Sequence, residues 1–242
     1  MFNPEELLII VPTYNESENI VRLVESVYGV MPGVNLLVVD DSSPDGTADK
    51  VRRIMEENPK VNLLVREGKD GLGKAYIRGF RWGLEKGYRY LMEMDADFSH
   101  DPGYLPDFGE AAEAADLVIG SRYISGVNVV NWPMNRLLIS YCGNIAARII
   151  AGVPVKDCTA GFKMFKREVL ESIDLNRIDS SGYSFQVEMN YHVYKKGFRI
   201  KEIPIVFRDR VYGESKMSTG IIREALMLLW KLRLHSIFSR VH

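Results

Sequence analysis

Short apolar runs alternate with amphipathic segments along the first half of the chain. Runs rich in aliphatic and β-branched residues are typical of strands that are buried on both faces. The segments between them carry apolar residues at helical spacing. This alternation predicts an α/β sandwich with a mostly parallel central sheet. The predicted strands are Leu7 to Val11, Asn35 to Asp41, Val61 to Glu67, Tyr88 to Asp95 and Asp116 to Gly120, and the predicted helices are Ser17 to Val27, Thr47 to Glu57, Lys74 to Lys86 and Gly103 to Ala115.

Polar residues cluster where three of the predicted strands end. The segment PTYNE (12–16) follows the first strand, Asp41 closes the second, and Asp95 and Asp97 follow the fourth. Turn formation or helix capping is the alternative explanation for any one of these loops. Because ligands of open α/β sheets bind beyond the carboxyl ends of the strands, the three loops together predict one binding crevice.

The two aspartates of the fourth loop predict a metal site. Carboxylates gathered without matching basic residues repel one another unless a cation lies among them. Mg²⁺ and Mn²⁺ prefer oxygen ligands and are commonly completed by phosphate oxygens of a substrate. We therefore predict that Asp97, helped by Asp95, holds Mg²⁺ or Mn²⁺ against a diphosphate.

A glycine-rich segment offers a competing motif. Gly68 to Lys74 matches the GxxxxGK part of a phosphate-binding P-loop and follows a predicted strand. The next residue is Ala75, where a P-loop has the Ser or Thr that binds the metal. The segment is therefore interpreted as a glycine turn before a helix, with backbone N–H groups that can face a ligand.

Composition limits the class of protein. The chain has 242 residues, of which 46% are hydrophobic and 26% charged, as expected for one soluble globular domain over residues 1–242. A net charge of −1 argues against nucleic acid as a partner. The two cysteines cannot form a disulfide framework, and we see neither a secretion signal nor an apolar run long enough to cross a bilayer. We therefore expect a cytoplasmic protein.

Several motifs occur together and in a fixed order. They are PTYNE (12–16), VVDDSSPDGT (38–47), GLGKAYIRGF (71–80), MDADFSHDP (94–102), GSRY (120–123), NWP (131–133), AGF (160–162) and RVYGESK (210–216). On these residues the chain resembles the family-2 inverting glycosyltransferases, whose GT-A fold is a Rossmann-like sandwich. NWP and RVYGESK resemble the branch that uses polyprenyl phosphates, which includes the dolichol-phosphate mannose synthases.

The resemblance implies a donor site in residues 1–123. The implied donor is GDP-mannose, held with Mg²⁺ or Mn²⁺. Ser99 stands where the family often has Gln, so we predict that it is a third metal ligand, directly or through water. The implied nucleotide-sugar-binding residues are Pro12, Tyr14, Glu16, Val39, Asp41, Asp95, Ala96 and Asp97.

The resemblance also implies an acceptor site and a lid in residues 124–218. Arg122, which belongs to the donor half, is implied to contribute to this acceptor site. Arg122, Arg136 and Ser140 are predicted to bind the acceptor phosphate, because guanidinium groups suit phosphate oxygens. Arg210 and Lys216 are predicted to bind the leaving diphosphate from a mobile lid. A solvated surface charge is the alternative for any one of these residues. The predicted catalytic set is Asp95, Asp97, Arg122, Arg210 and Lys216.

The implied reaction transfers mannose from GDP-mannose to dolichyl or another polyprenyl phosphate, with inversion. A phosphate monoester is largely a dianion at neutral pH and needs no general base, so His100 is interpreted as a loop residue. A glucosyl-nucleotide donor is an alternative, because the sugar pocket is not legible in sequence. A noncatalytic nucleotide-binding subunit is a further alternative, which the complete acidic and basic sets disfavour.

A polyprenyl acceptor requires a membrane surface. Thr219 to Phe238, within the C-terminal segment 219–242, has the mixed apolar and basic pattern of an interfacial amphipathic helix. Arg136 to Ile150 is a second candidate, and packing against the core is the alternative for both. We expect peripheral association with the cytosolic face of a membrane. A small membrane-protein subunit is a further partner that the resemblance suggests.

Overall fold

A seven-stranded sheet forms the centre of the protein in the computed structural model, which describes residues 1–68, 70–178, 180, 182–208 and 229–230. The strands are β1 (Leu7–Thr13), β2 (Asn35–Asp40), β3 (Val61–Val65), β4 (Tyr90–Glu93), β5 (Leu117–Ser121), β6 (Val129–Val130), β7 (Lys163–Lys166), β8 (Ile200–Pro204) and β9 (Phe207–Arg208). The helices are α1 (Ile20–Val30), α2 (Thr47–Glu57), α3 (Leu72–Lys86), α4 (Leu105–Ala114), α5 (Met134–Ala151), α6 (Arg167–Ser172) and α7 (Gly182–Lys195).

The sheet is mostly parallel. Its strand order is β3-β2-β1-β4-β7-β5-β8, and β7 runs antiparallel to both of its neighbours. The other neighbouring strands of this sheet are parallel. A separate two-stranded sheet pairs β6 with β9. The α/β class with a mostly parallel central sheet is therefore confirmed.

Helices cover both faces of the sheet because successive residues of each strand point in opposite directions. On β1, Leu8 and Ile10 pack with α3, α6, α7 and the inner side of α5. Leu7, Ile9 and Val11 pack on the other face with α1, α2 and α4. All five side chains are 0% exposed, and burial of each contributes about 1.5–3 kcal/mol to folding.

The predicted boundary at Pro12 is wrong, because β1 continues to Thr13. The Ile10 carbonyl accepts from Met94 on the β4 side, whereas the Thr13 carbonyl accepts from Asp41 on the β2 side. By alternation, Pro12 faces the β4 side, where the pairing of β1 with β4 has already ended at Ile10. Its missing N–H therefore breaks no hydrogen bond between these strands.

Strand β7 was not predicted from the sequence pattern. Its sequence KMFK places lysines at both ends of a short apolar pair, which is typical of an exposed segment. In the structure Lys163 is 0% exposed and lies opposite Glu93 of β4 in the register. Lys163 is buried because its strand position lies opposite the acidic Glu93, which is distant in sequence. The local pattern does not indicate this burial.

Asp116 joins three strands at the sheet edge opposite the crevice. Its carboxylate accepts from the Arg199 side chain and backbone at 3.0 Å and from Lys166 Nζ at 3.1 Å. These bonds, led by those from Arg199, hold the pKa of Asp116 well below its usual range. Since the folded-state pKa is lowered, the stabilisation is present at neutral pH and is lost as pH falls below about 4.

We expect Asp116→Asn to lower the melting temperature by about 3 °C at pH 7. The difference from the wild-type protein should shrink between pH 4 and pH 3, because the unfolded wild-type chain then takes up a proton that the folded protein resists. Calorimetric melting curves across this range test the prediction. Asp49→Asn, in an exposed pair with Arg52, is the control. An equal loss at every pH would contradict the electrostatic explanation.

Candidate functional site

The ends of β1, β2 and β4 lie side by side, as predicted from the polar residues that follow these strands in the sequence. The Asp41 N–H donates to the Thr13 carbonyl at 3.0 Å, and the Met94 N–H donates to the Ile10 carbonyl at 3.1 Å. These bonds carry the register of the sheet up to the first loop residues. The structure therefore brings Tyr14, Asp41 and Asp95 to one edge of the sheet.

Asp45 fastens the first two loops together, a role that the sequence reasoning missed. Its carboxylate accepts from the Ser17 N–H at 3.0 Å and from both the N–H and the hydroxyl of Thr47. Burial opposes ionisation, but the bonds from Thr47 and Ser17 outweigh it and lower the pKa of Asp45. The Thr47 hydroxyl in turn accepts from the Glu16 N–H. The spacing Asp-Gly-Thr before a helix was the available signal.

Three further predicted nucleotide contacts, Pro12, Tyr14 and Val39, lie at or next to the ends of β1 and β2. Pro12 is half-buried beside the fully buried Val39, with which it pairs in register, and Tyr14 is 39% exposed. The Asp41 carboxylate lies 3.0 Å from Arg66 Nη1, and both side chains are about a tenth exposed. The pair presents a carboxylate and a guanidinium together at the crevice.

The DAD segment follows β4 in a tight turn. Ala96 is buried, whereas Asp95 and Asp97 are half-buried, and Phe98 has a φ of 60°, in the left-handed region. The Ser99 N–H donates to Asp97 Oδ1 at 3.1 Å, and the Ser99 side chain is almost fully buried. The Tyr76 hydroxyl reaches the same segment from α3 and donates to Asp95 Oδ1 at 3.1 Å.

His100 supports this turn from within the protein. Its Nδ1 accepts from the Asp95 N–H at 3.0 Å, which requires the neutral tautomer with its proton on Nε2. Burial lowers the pKa of His100, in agreement with a neutral ring. The ring is 2% exposed and stacks on Phe162 at 4.8 Å. His100 is therefore a loop residue, as predicted, and it also holds the backbone of Asp95.

A buried polar cluster lies one layer below the DAD segment. Glu93 accepts from the side-chain amide of Gln186 at 2.8 Å, and Lys163 donates to the backbone carbonyl of Gln186 at 3.0 Å. Burial raises the pKa of Glu93 to about 8, although Lys163 and Gln186 oppose this change. Burial also lowers the pKa of Lys163 to about 8. The cluster fixes β4, β7 and α7 together directly beneath the predicted metal ligands.

The oxygen ligands in this turn fit a divalent cation whose coordination shell is completed by a substrate. Among the described residues, no group of three or more His, Cys, Asp or Glu side chains could hold a metal. Asp95 and Asp97 supply two carboxylates, and a cation of the Mg²⁺ type is usually bound by one or two carboxylates with substrate phosphates and water. These residues suit a cation that arrives with a diphosphate.

Arg122 directly follows β5, at the end of the predicted donor half, and is 5% exposed. Its Nε and Nη2 donate to the two carboxylate oxygens of Asp157 at 2.7 and 2.6 Å, and Nη2 also donates to Thr159 Oγ1 at 2.7 Å. This bidentate pair was not predicted, because Asp157 carries no local motif that distinguishes it. A large part of the Arg122 guanidinium is thereby committed to the protein itself.

The other predicted acceptor residues lie nearby on α5. The Arg136 guanidinium stacks over the Trp132 ring at 4.2 Å, and Arg122 approaches the same ring at 5.6 Å. Ser140 Oγ accepts from the Tyr123 hydroxyl at 2.9 Å. The structure therefore brings Arg122, Arg136 and Ser140 into one neighbourhood around Trp132 and Tyr123.

Phe207 connects the two halves of the crevice. Its ring lies edge-on to His100 at 5.9 Å on the donor side. On the acceptor side it meets the Trp132 ring at 5.5 Å and the Arg122 guanidinium at 5.5 Å. Phe207 thus links His100, which supports the acidic turn, to Arg122 of the basic cluster.

Some predicted residues fall outside the described part of the chain. Arg210 and Lys216 are among them, and so is the helix predicted at Thr219 to Phe238 except for two positions. Of these, Leu229 is 5% exposed and belongs to the apolar core, whereas Trp230 is 59% exposed. The lid and the C-terminal interfacial helix remain predictions.

The glycine-rich segment borders a cavity of about 600 Å³ at the β3 edge of the sheet. Gly71, with a φ of 94°, precedes α3, in agreement with the predicted glycine turn. A Cβ on Gly73 would lie 2.8 Å from the Ser180 carbonyl, so this position requires glycine. The cavity is lined by apolar residues that include Leu64 and Ile77, by four basic residues, Arg66, Lys74, Arg78 and Arg81, and by two acidic residues, Glu67 and Asp70.

Comparison with known proteins gives one family and close relatives. The family model "Glycosyl transferase family 2" matches residues 8–174. The chain is 49% identical over 221 residues to the undecaprenyl-phosphate mannosyltransferase of Micrococcus luteus, with 91% of each chain covered. It is 46% identical over 233 residues to the polyprenol monophosphomannose synthase of Mycolicibacterium smegmatis, with 95% of this chain and 88% of the relative covered.

Solved structures resemble the chain in fold. Glucosyl-3-phosphoglycerate synthase of Mycobacterium tuberculosis, crystallised with Mn²⁺, UDP and glucosyl-3-phosphoglycerate, superposes with a TM-score of 0.68 at 18% identity, over 93% of this chain and 79% of that one. The same enzyme with phosphoglyceric acid gives a TM-score of 0.69. The predicted resemblance to polyprenyl-phosphate mannosyltransferases and the GT-A type of fold are both confirmed.

Proposed function

Because the chain belongs to glycosyl transferase family 2, we propose that it transfers mannose from GDP-mannose to dolichyl or another polyprenyl phosphate with inversion. The product is the β-linked mannosyl phosphate of the polyprenol. One observation carries the proposal: Phe207 contacts both His100, which supports the acidic turn, and Arg122 of the basic cluster, in a chain nearly half identical to two polyprenol-phosphate mannosyltransferases. The acidic side suits a metal-bound diphosphate, and the basic side suits an acceptor phosphate.

The pair of Asp41 and Arg66 supports guanine as the base of the donor. Guanine offers N–H donors at N1 and N2 beside acceptors at O6 and N7. The Asp41 carboxylate can accept from the former, and the Arg66 guanidinium, 3.0 Å away, can donate to the latter. Uracil has no equivalent amino group for the carboxylate. We therefore expect GDP to bind more tightly than UDP.

The acceptor phosphate needs orientation more than deprotonation. With a second pKa of about 6, a phosphate monoester is largely dianionic at neutral pH, so its oxygen can attack the anomeric carbon directly. Arg136, stacked on Trp132, and Ser140, bonded to Tyr123, would hold the phosphate on the face opposite the leaving group. Formation of the new C–O bond breaks the anomeric C–O bond to GDP, and the electron pair leaves on the β-phosphate oxygen.

The donor side must stabilise the charge that develops on GDP. When bound, Mg²⁺ or Mn²⁺ supplies electrostatic stabilisation to the diphosphate. Asp95 and Asp97, with Ser99 in the same turn, would hold it there. Arg210 and Lys216 are proposed to add positive charge from the lid.

A transfer assay tests the proposed function. Radiolabelled GDP-mannose is incubated in detergent with a short polyprenyl phosphate, with Mg²⁺ or with EDTA. Lipid-linked label that depends on the cation supports the donor, the acceptor and the metal together. Label from UDP-glucose in its place would identify the alternative donor, and no label with GDP-mannose still bound would refute the acceptor.

The outer side of α5 supports docking on a membrane surface. Met134, Leu138, Ile145 and Ile149 recur at helical spacing and are 68%, 55%, 39% and 67% exposed. The helix contains arginines but no Asp or Glu, which favours anionic lipid. No helix within the described residues is long and apolar enough to cross a membrane. We propose that this face lies in the membrane interface, where the polyprenyl chain of the acceptor is dissolved.

We expect the double variant Leu138→Gln and Ile149→Gln to reduce binding to vesicles containing anionic phospholipid by about tenfold or more. Both side chains are exposed in the structure, so the fold should be retained. Sedimentation with vesicles measures the effect. The control is the double variant Met55→Gln and Val65→Gln. It removes two apolar side chains, 36% and 46% exposed, from another surface. Equal loss in both double variants would contradict a specific role for α5.

A further inference from the structure

We infer that Tyr76 is a positioning residue that fixes the carboxylate of Asp95 before the nucleotide and its cation bind. This inference rests on the proposed function, because it assigns a role within the same donor site. Tyr76 lies on α3 and not in the loops that form the crevice. Its hydroxyl nevertheless donates to Asp95 Oδ1 at 3.1 Å.

The path of β4 explains how a helix residue reaches the DAD turn. Leu91 belongs to the core layer that includes α3 and α7, and Glu93, two residues later, is bonded to Gln186 of α7. Residues two apart on a strand share a face, so Leu91 and Glu93 both face this helix layer, and the Asp95 carboxylate, two residues past the end of β4, is bonded to the same layer through Tyr76. Tyr76 lies in that helix layer and meets Asp95 from below.

The ring of Tyr76 is held firmly enough to position its hydroxyl. The side chain is 0% exposed. It stacks with Phe185 at 6.2 Å and an interplanar angle of 8°, and with Phe80 at 6.3 Å. Because the ring is fully buried among aromatic neighbours, the hydroxyl has little freedom to leave Asp95.

His100 restrains the same aspartate through its backbone. The Asp95 N–H donates to His100 Nδ1, and the His100 ring is stacked on Phe162. One residue is thus held at its backbone by a loop histidine and at its carboxylate by a buried helix tyrosine. Supporting hydrogen bonds of this kind typically change metal affinity or activity by about 10–100-fold when removed.

The test is Tyr76→Phe, which deletes the hydroxyl and keeps the ring. Mn²⁺ affinity is measured by electron paramagnetic resonance with saturating GDP, which reads the site without any sugar transfer. We expect the affinity for Mn²⁺ to fall by about tenfold. In the transfer assay, the Mn²⁺ concentration for half-maximal rate should rise by a similar factor.

Two further variants separate positioning from general loss of structure. Tyr90→Phe removes a buried phenol hydroxyl from the other end of β4 and should leave Mn²⁺ affinity unchanged. Asp95→Asn should weaken binding by itself, and adding Tyr76→Phe should then cost much less than in the wild-type background. This non-additivity is expected only if the hydroxyl acts through the Asp95 carboxylate.

The inference would be overturned if Tyr76→Phe bound Mn²⁺ as tightly as the wild-type protein, both without nucleotide and with GDP. If Tyr76→Phe does not fold, Phe185→Leu loosens the packing of the ring, and unchanged Mn²⁺ affinity in that variant would overturn it equally. The proposed function fails separately, through wild-type protein that does not bind GDP or does not transfer mannose. In that case the same comparison of Mn²⁺ affinities is made with UDP.

Discussion

Asp97→Ala is expected to reduce mannosyl transfer by about a thousandfold. Asp97 lies half-buried at the crevice, in a turn that Ser99 closes by donating its N–H to Asp97 Oδ1. Loss of this carboxylate would remove one of the two anionic ligands proposed for the cation. The initial rate of lipid-linked mannose formation, measured at several Mn²⁺ concentrations, checks the result.

Asp101→Ala is the matched control for this prediction. Asp101 belongs to the same loop, is exposed, and caps a short helical turn by accepting from the Gly103 N–H at 2.8 Å. Its removal should cost about 1 kcal/mol of stability and leave the Mn²⁺ dependence of the rate unchanged. Unchanged sugar transfer in Asp97→Ala would contradict the assignment of the metal site.

Arg122→Met should lower the free energy of unfolding by about 3–5 kcal/mol and also abolish transfer. The guanidinium and the Asp157 carboxylate are 6% and 0% exposed, so truncation leaves an uncompensated buried charge. Replacing Asp157 as well, in Arg122→Met with Asp157→Asn, should recover part of the stability, because the orphaned charge is then gone. Urea denaturation of the three proteins measures these differences.

Arg52→Gln shows how burial changes the contribution of an ion pair, because the Arg52–Asp49 and Arg122–Asp157 pairs have the same N···O distance. Arg52 and Asp49 are 2.6 Å apart, the same as Arg122 and Asp157, but their side chains are 55% and 71% exposed. We expect a change of no more than about 0.5 kcal/mol for Arg52→Gln. If Arg122→Met were equally mild, the Arg122 pair would not be a buried structural element. Arg122 would then be better explained as a ligand for the acceptor phosphate alone.

Local pattern predicted the order and type of the strands and helices in the predicted donor half, although not every boundary. Helix α2 has its predicted bounds: Asp45 accepts from the Thr47 N–H at its start, and its apolar residues recur at helical spacing. The ends of β1, β2 and β4 meet as predicted, since parallel strands necessarily bring their carboxyl ends to one edge. The motifs could therefore be assigned to one crevice before any distance was known.

Pairwise contacts between distant residues were beyond such reasoning. Tyr76 reads as one apolar position of a helix, and nothing local indicates that its hydroxyl meets Asp95. Asp157 likewise reads as a loop residue, yet it holds Arg122 from 35 positions away. In both cases the partner is chosen by the packing of layers, which a single sequence does not encode in any short window.

The antiparallel strand β7 makes the folding of the two halves of the chain interdependent. It also limits which halves can be combined in chimeras of related enzymes. It lies between β4 and β5, although it belongs to residues 124–218. Without it, both neighbours would expose unpaired edges in the middle of the sheet, a condition that promotes aggregation. A chimera that takes its acceptor half from another enzyme therefore also receives a foreign central strand. Such an exchange succeeds only if the incoming strand offers Glu93 a suitable partner where Lys163 now lies.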